Sequence, residues 1–222
     1  MAAVTMNTEQ ARFNMIEQQI RPWEVLDPTV LNLLSLVKRE DFVPLDYKDL
    51  AFADVEVPIS PTQAMLAPKM EARILQEAGI KNTDTVLEIG TGSGFMAALL
   101  AAKAEFVYSV EIDPALAEMA KNNLQKSGVA NVSVATGDGA QGWAANAPYD
   151  VIVLSGSVPV LPEAILRQLK IGGRLVAVVG EAPAMQLQLV TCTEENAFNT
   201  INILETVITP LANAEQRDKF EF

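Results

Sequence analysis

Apolar positions in the first eighty residues follow helical spacing that is interrupted by prolines. Phe13, Ile16 and Ile20 share one face of a helix predicted over residues 9–20. Asp27 and Pro28 are a helix N-cap and a first-turn proline, which predicts a second helix through about residue 37.

The next segment changes character. Residues 53–65 contain two prolines and are predicted to be a loop or an edge segment. Residues 68–78 then have the pattern of a helix that ends at Gly79. We therefore expect residues 1–80 to form a helical, substrate-side extension of a single domain that spans residues 1–222.

From residue 81 onward, short apolar strands alternate with helices. The predicted strands are residues 85–89, 106–112, 132–136, 150–154, 174–179, 186–191 and 199–207, and the predicted helices are residues 94–102, 114–127 and 162–169. This rhythm predicts a doubly wound α/β core over residues 81–222, with a mostly parallel sheet of about seven strands and helices on both faces. The last two strands are separated only by a turn, which favours an antiparallel hairpin at one end of the sheet.

Composition narrows the function classes. Half of the 222 residues are hydrophobic, and the net charge of −12 disfavours a nucleic-acid partner, which needs a basic face. The chain has no histidine and one cysteine, Cys192, so histidine-dependent nucleophilic catalysis, imidazole metal sites and an intrachain disulfide framework are excluded. No clustered acidic spacing suggests a metal site. With neither a membrane-length apolar run nor a secretion signal in its first ten residues, the chain is expected to be cytoplasmic.

A glycine-rich turn follows the first strand of the core. The strand TVLEIG runs into Gly90, Gly92 and Gly94, and a helix begins at once. Alternating glycines let the backbone turn tightly and approach a ligand closely. The spacing is GxGxG, neither the dinucleotide GxGxxG nor a P-loop, and Glu88 just before it suits a cation better than a phosphate.

Two further elements stand at the ends of the next two strands. Glu111 lies about 20 residues beyond the turn, where a carboxylate can accept hydrogen bonds from ribose hydroxyls. The loop Gly137–Asp138–Gly139 follows the third strand and suits the edge of an adenine ring. We expect the three elements to meet in one crevice, because the carboxyl ends of parallel strands share one edge of the sheet.

The ordered motifs LEIGTGSGF, VEID, TGDG and KIGGRLV resemble those of class I S-adenosylmethionine methyltransferases. The chain more specifically resembles the protein-L-isoaspartate O-methyltransferase family over nearly its whole length, including MIEQQIR, FVP, GDGAQGW, APYDVIVLSG and a closing strand ITPL. The resemblance implies S-adenosyl-L-methionine as cofactor, S-adenosyl-L-homocysteine as product, and a Rossmann-like fold. It also implies a damaged protein or peptide with an isoaspartyl carboxylate as methyl acceptor.

The resemblance also implies site residues. The cofactor-binding positions are Glu88, Gly90, Thr91, Gly92, Ser93, Gly94, Glu111, Ile112, Asp138 and Gly139. The acceptor-side, catalytic positions are Thr62, Gln63, Leu66 and Ser155. Lys69 and Arg73 could offset an acceptor's charge or lie on a solvated helix face.

The acceptor side departs from the family pattern. The family's Thr and Ser in the loop GxGQTIS fall on Ala64 and Leu66, and its Thr-Ala falls on Ser155-Gly156. Three functions therefore stay open: isoaspartyl methylation, methylation of another acceptor such as a small molecule, and cofactor binding without turnover. Methyl transfer to a carboxylate needs positioning more than a general base, since the carboxylate is already ionised at neutral pH.

Overall fold

The computed structural model describes residues 7–215. Residues 1–6, which belong to the segment searched for a secretion signal, and residues 216–222 lie outside this range. The α-helices within it are α1 (Thr8–Asn14), α2 (Pro28–Leu36), α3 (Pro68–Ala78), α4 (Phe95–Ala101), α5 (Pro114–Lys126) and α6 (Glu163–Leu166). The strands are β1 (Val57–Pro58), β2 (Ala64–Met65), β3 (Thr85–Ile89), β4 (Phe106–Glu111), β5 (Val132–Thr136), β6 (Tyr149–Val158), β7 (Leu169–Glu181), β8 (Ala184–Glu194) and β9 (Ala197–Thr206).

The predicted α/β fold is confirmed. Strands β3–β9 form one seven-stranded sheet in the order β5-β4-β3-β6-β7-β8-β9. The first five of these are parallel, and β7, β8 and β9 pair antiparallel, as the turn between the last two strands predicts. The chain winds outward from β3 through β4 to β5 and then returns to β6, which pairs with the opposite edge of β3. This reversal opens a crevice at the carboxyl ends of β3 and β6.

Alternate residues of the central strands face opposite sides of the sheet. Val86, Val107 and Val153 belong to the core cluster that includes α2, α3 and α4, whereas Leu87 and Ile152 belong to the cluster on the other face. By this period of two, Glu88, Ser109 and Ser155 point to the side of α3 and α4. Three polar side chains are thus directed into an apolar layer.

The first helix differs from its prediction. The α-helical part ends at Asn14, and Met15–Ile20 continues as a π-helix, in which Arg21 N–H donates to the carbonyl of Ile16. The wider turn places Met15 in the core and leaves Phe13 58% exposed, although the spacing predicted Phe13 on the buried face.

Other boundaries follow their local signals. The carboxylate of Asp27 accepts from Thr29 N–H and caps α2, and α3 ends at Gly79 in a left-handed conformation, both as predicted. The segment before α3 contains the short hairpin β1–β2. Strands β6 and β7 are longer than predicted and α6 shorter, because pairing with neighbouring strands extends the sheet beyond the apolar cores of these segments.

Candidate active site

An open pocket lies at the carboxyl ends of β3, β4 and β6, where the order of the sheet predicts a ligand. The empty space between its walls, counted out to the open solvent at its mouth, is about 640 Å³. Its walls come from the glycine turn, the ends of β4, β5 and β6, the β1–β2 hairpin and residues 209–212.

The glycine turn has the geometry that its spacing predicts. Gly90, Gly92 and Gly94 have φ angles of +92°, +53° and +88°, in the left-handed region that favours glycine. Glu111 braces this turn, because its Oε2 accepts from Gly92 N–H at 2.8 Å while its Oε1 accepts from Asp113 N–H at 3.1 Å. Each carboxylate oxygen keeps a lone pair available at the pocket wall.

The loop after β5 forms the far end of the pocket. Asp138 accepts from Ala140 N–H at 2.9 Å and from the side-chain amide of Asn213 at 3.1 Å. A Cβ on Gly139 would lie 2.8 Å from Cγ2 of Ile89, so only glycine lets this loop pack against the end of β3. Ile112 contributes an exposed apolar surface beside it.

Glu88 lies beneath the glycine turn and does not line this pocket. It is fully buried, and its two oxygens accept from the hydroxyls of Ser109 at 2.6 Å and Ser155 at 2.9 Å. The Ser109 hydroxyl is in turn 2.6 Å from that of Thr91. Burial and, to a smaller extent, the charges of Glu111 and Glu71 raise the pKa of Glu88 to about 8, while the two hydrogen bonds oppose that rise.

A buried acid on α3, Glu71, was missed by the sequence reasoning. It faces Arg39, whose Nε lies 3.6 Å from its Oε2 and whose Nη2 donates to the carbonyl of Leu66 at 2.8 Å. Burial raises the pKa of Glu71 to about 7, and the charge of Arg39 opposes that rise. The sequence did contain a signal, because Glu71 stands among the apolar positions of α3. The structure shows Met70, Glu71 and Ile74 all buried on that helix.

Three of the four predicted acceptor-side residues line the pocket. Gln63, Leu66 and Ser155 are part of its wall. Thr62 is exposed in the turn of the β1–β2 hairpin and is not among the wall residues, because the strand directs the chain inward only after Gln63. Leu66 is only 5% exposed and presents an apolar surface.

The segment 207–212 closes one side of the pocket and was not assigned to the site from sequence. The ITPL residues form no strand of the sheet. They run extended beside the end of β6, where Ser157 N–H donates to the Thr209 carbonyl at 3.1 Å and Leu211 N–H donates to the Ser157 carbonyl at 2.9 Å. A Cβ on Gly90 would meet Cδ2 of Leu211 at 2.8 Å, so the turn and this segment fit closely together.

Other candidates lie elsewhere. Lys69 pairs with Asp54 at 2.7 Å and lies 4.0 Å from the centre of the Trp23 ring, and Arg73 pairs with Glu77 at 2.9 Å. Neither cation lines the pocket. Across residues 7–215 no cluster of three or more metal-ligating side chains occurs, and no helix in that range is long and apolar enough to span a bilayer.

The wall residues fit a nucleoside that carries positive charge. Glu111 and Asp138 are the charged residues of the pocket wall in the described range, and both are acidic. Gly90, Gly92 and Gly139 line the pocket with backbone alone. S-adenosylmethionine, which the motifs imply, has a cationic sulfur and a cationic amine, so it matches this wall.

Comparison with known proteins gives the same result. The model of the protein-L-isoaspartate(D-aspartate) O-methyltransferase family matches residues 10–216. The protein-L-isoaspartate O-methyltransferase of Protochlamydia amoebophila is 41% identical over 202 residues, covering 90% of this chain and 96% of that protein.

Solved structures agree. One protein-L-isoaspartate O-methyltransferase superposes with a TM-score of 0.74 at 25% identity, over 93% of this chain and 66% of that one. A family structure from Plasmodium falciparum, in complex with S-adenosyl-L-homocysteine, shares the fold with a TM-score of 0.76 at 19% identity, over 93% of this chain and 99% of that one. This chain belongs to the protein-L-isoaspartate(D-aspartate) O-methyltransferase family and is an S-adenosylmethionine-dependent methyltransferase.

Proposed function

We propose that this chain methylates the free carboxylate of isoaspartyl residues in damaged proteins or peptides. One observation carries the proposal: Gln63, Ala64 and Leu66 stand across the same pocket from the glycine turn at Gly90 and Gly92. An acceptor held by the hairpin is therefore adjacent to the cofactor. The relatives' names supply the acceptor class. We also propose that the protein is cytoplasmic and has no nucleic-acid partner.

The residues of the wall suit a carboxylate acceptor. Bound S-adenosylmethionine supplies an electrophilic methyl group on a positively charged sulfur. An acceptor carboxylate is ionised at neutral pH, so the chain needs no general base and has to exclude water and fix orientation. Since the wall contributes no lysine or arginine in the described range, the attraction for the acceptor comes from the cofactor's charge.

Gln63 is the side chain best placed to orient the acceptor. The Ser155 hydroxyl donates its proton to Glu88, and the Thr209 hydroxyl donates to Glu56 at 2.8 Å. Each hydroxyl has a single proton, so neither is free to donate to an acceptor while the carboxylate that it bonds is ionised. Among residues 7–215 no hydrogen bond engages the side-chain amide of Gln63, which has two N–H groups and lines the pocket.

On the cofactor side, we assign Glu111 to the ribose, and Ile112, Asp138 and Gly139 to the adenine. Gly90, Gly92 and Gly94 shape the turn over which the rest of the cofactor lies. Thr91 and Ser93 are buried beneath that turn and position it, since Thr91 contacts Ser109 and the Ser93 carbonyl accepts from Asn123 at 2.9 Å.

A second acceptor class follows from the apolar edge of the hairpin. Ala64 and Leu66 provide carbon surface where the family pattern has hydroxyls, which favours an acceptor with an apolar part beside its nucleophile. A small molecule of that kind is the alternative substrate.

The test uses methyl-labelled S-adenosylmethionine with an isoaspartyl peptide and the same peptide carrying normal aspartate. We expect base-labile methyl esters on the isoaspartyl peptide alone. Protein that binds the cofactor but labels neither peptide contradicts the proposal, and label on small-molecule acceptors instead supports the alternative.

A pair of neighbouring variants locates the acceptor. Gln63→Ala removes a hydrogen bond to a charged group and should lower kcat/KM for the peptide about 10–100-fold. Thr62→Ala changes an exposed side chain and should have a much smaller effect. The reverse order would show that the hairpin contacts the acceptor through its tip.

A further inference from the structure

A second groove lies beside the main pocket and shares part of its wall. It is bounded by the segment 207–210, the end of β6, the turn between β7 and β8, and Glu56. Its empty space, counted out to the open solvent, is about 880 Å³, against about 640 Å³ for the main pocket counted in the same way. Thr209 and Pro210 line both spaces, so the groove is continuous with the pocket.

The groove begins at the acceptor side of the pocket. Glu56 directly precedes β1, the first strand of the hairpin that carries Gln63. Its carboxylate accepts from the Thr209 hydroxyl at 2.8 Å and from Thr209 N–H at 3.3 Å. These two bonds join the hairpin to the segment 207–210 and fix the Glu56 carboxylate where pocket and groove meet.

The groove combines carbon surface with negative charge. Its apolar wall residues include Pro159, Met185 and Val207, and its charged residues within the described range are Glu56 and Glu181. Glu181 is exposed at the end of β7, and no hydrogen bond or ion pair engages it among residues 7–215. Each oxygen of Glu56 keeps a lone pair beyond its bond to Thr209. No lysine or arginine in the described range lines the groove to neutralise the two acids.

This arrangement favours the polypeptide that flanks an isoaspartyl acceptor. The acceptor in the proposed reaction is one residue of a chain, so its neighbours have to leave the pocket, and three extended residues reach about 10 Å. A lysine or arginine among them can lay its aliphatic stem on the apolar wall and present its cationic head to the two carboxylates. An acidic side chain in the same place would be repelled.

We propose that the groove binds the acceptor polypeptide next to the isoaspartyl residue, and that Glu56 and Glu181 select acceptors with a lysine or arginine there. This selectivity depends on the proposed isoaspartyl activity and adds a sequence preference to it. Exposed pairs of opposite charge are individually weak and are screened by salt, so the preference is moderate in size and sensitive to ionic strength.

The test compares acceptor peptides that differ in one residue. Isoaspartyl peptides carry lysine, norleucine or glutamate at one position within three residues of the isoaspartyl residue, on either side. Methyl-labelled S-adenosylmethionine then gives kcat/KM for each peptide. At a position that reaches the groove we expect lysine to exceed glutamate about 5–20-fold at low salt, with norleucine between them. The ratio should fall toward one in about 1 M salt.

Variants assign the preference to the two acids. Glu181→Gln and Glu56→Gln should each lower the lysine-to-glutamate ratio at least about twofold. Glu181→Lys leaves the two positions with no net charge and should abolish the preference. Glu195→Gln is the matched control, because it removes an exposed acid from the turn between β8 and β9, outside the groove, and should keep the ratio. The ratio compares two peptides on one variant, so a general loss of activity or stability cancels.

The outcomes separate this selectivity from the activity itself. Equal kcat/KM for lysine and glutamate peptides at every position would refute the role of the groove and leave isoaspartyl methylation standing. That result is also expected if a second copy of the chain or another partner fills the groove. A preference that survives in all three groove variants would refute the assignment to Glu56 and Glu181. Label on no isoaspartyl peptide, from protein that binds the cofactor, would refute the proposed function and the selectivity together.

Discussion

Substitution of Glu88 by glutamine should stabilise the protein, and more strongly at higher pH. The pKa of Glu88 is raised from 4.5 to about 8, so the folded protein binds more protons than the unfolded chain throughout that interval. Its contribution to stability is therefore complete below about pH 4.5 and is lost as the pH rises toward 8. Between about pH 5.5 and pH 8.5 the loss amounts to about 3 kcal/mol.

The glutamine keeps an acceptor oxygen for one serine, and its amide can donate to the hydroxyl of the other. Urea denaturation of wild type and Glu88→Gln at three pH values across this range measures the difference in unfolding free energy. We expect that difference to shift in favour of the variant by about 3 kcal/mol as the pH rises. Glu118→Gln, at an exposed position of α5, reports the effect of removing a surface charge. A difference for Glu88→Gln that stays constant with pH would refute the reasoning, since the buried carboxyl would then titrate as in the unfolded chain.

Three other changes test separate contacts. Gly139→Ala places a Cβ 2.8 Å from Ile89 and should cost about 1–3 kcal/mol of stability; an unchanged thermal midpoint would contradict this packing. Glu111→Gln leaves one acceptor oxygen where two backbone N–H groups donate. Calorimetry should show the Kd for the cofactor raised about 10–100-fold, and unaltered binding would exclude the role assigned to Glu111. Arg39→Met leaves Glu71 buried without its cation and should cost about 3–5 kcal/mol in urea denaturation, and the double variant Arg39→Met/Glu71→Met should recover most of that loss if the two residues are coupled.

Much of the core was predictable because its signals are local. Strand β3, the helix α3 with its terminal Gly79, and the Asp27 cap have the predicted bounds, since each depends on neighbouring residues. The glycine turn was equally predictable from sequence, because positive φ angles at alternating positions favour glycine whatever residues surround them. The π-helical turn at Met15–Ile20 was not, because the preference for Met15 over Phe13 in the core arises from packing against distant residues.

The sequence alone determined the fold class, the glycine turn and the order of the cofactor motifs along the chain. These features are encoded by periodicity and by residues close together in sequence, where backbone geometry leaves few alternatives. The tertiary structure alone decided that Glu88 lies beneath the pocket, that Glu71 pairs with Arg39 near it, and that residues 209–212 close the wall. Those residues come from separate elements, so their proximity and their shifted pKa values exist only once the helices pack on the sheet and exclude water.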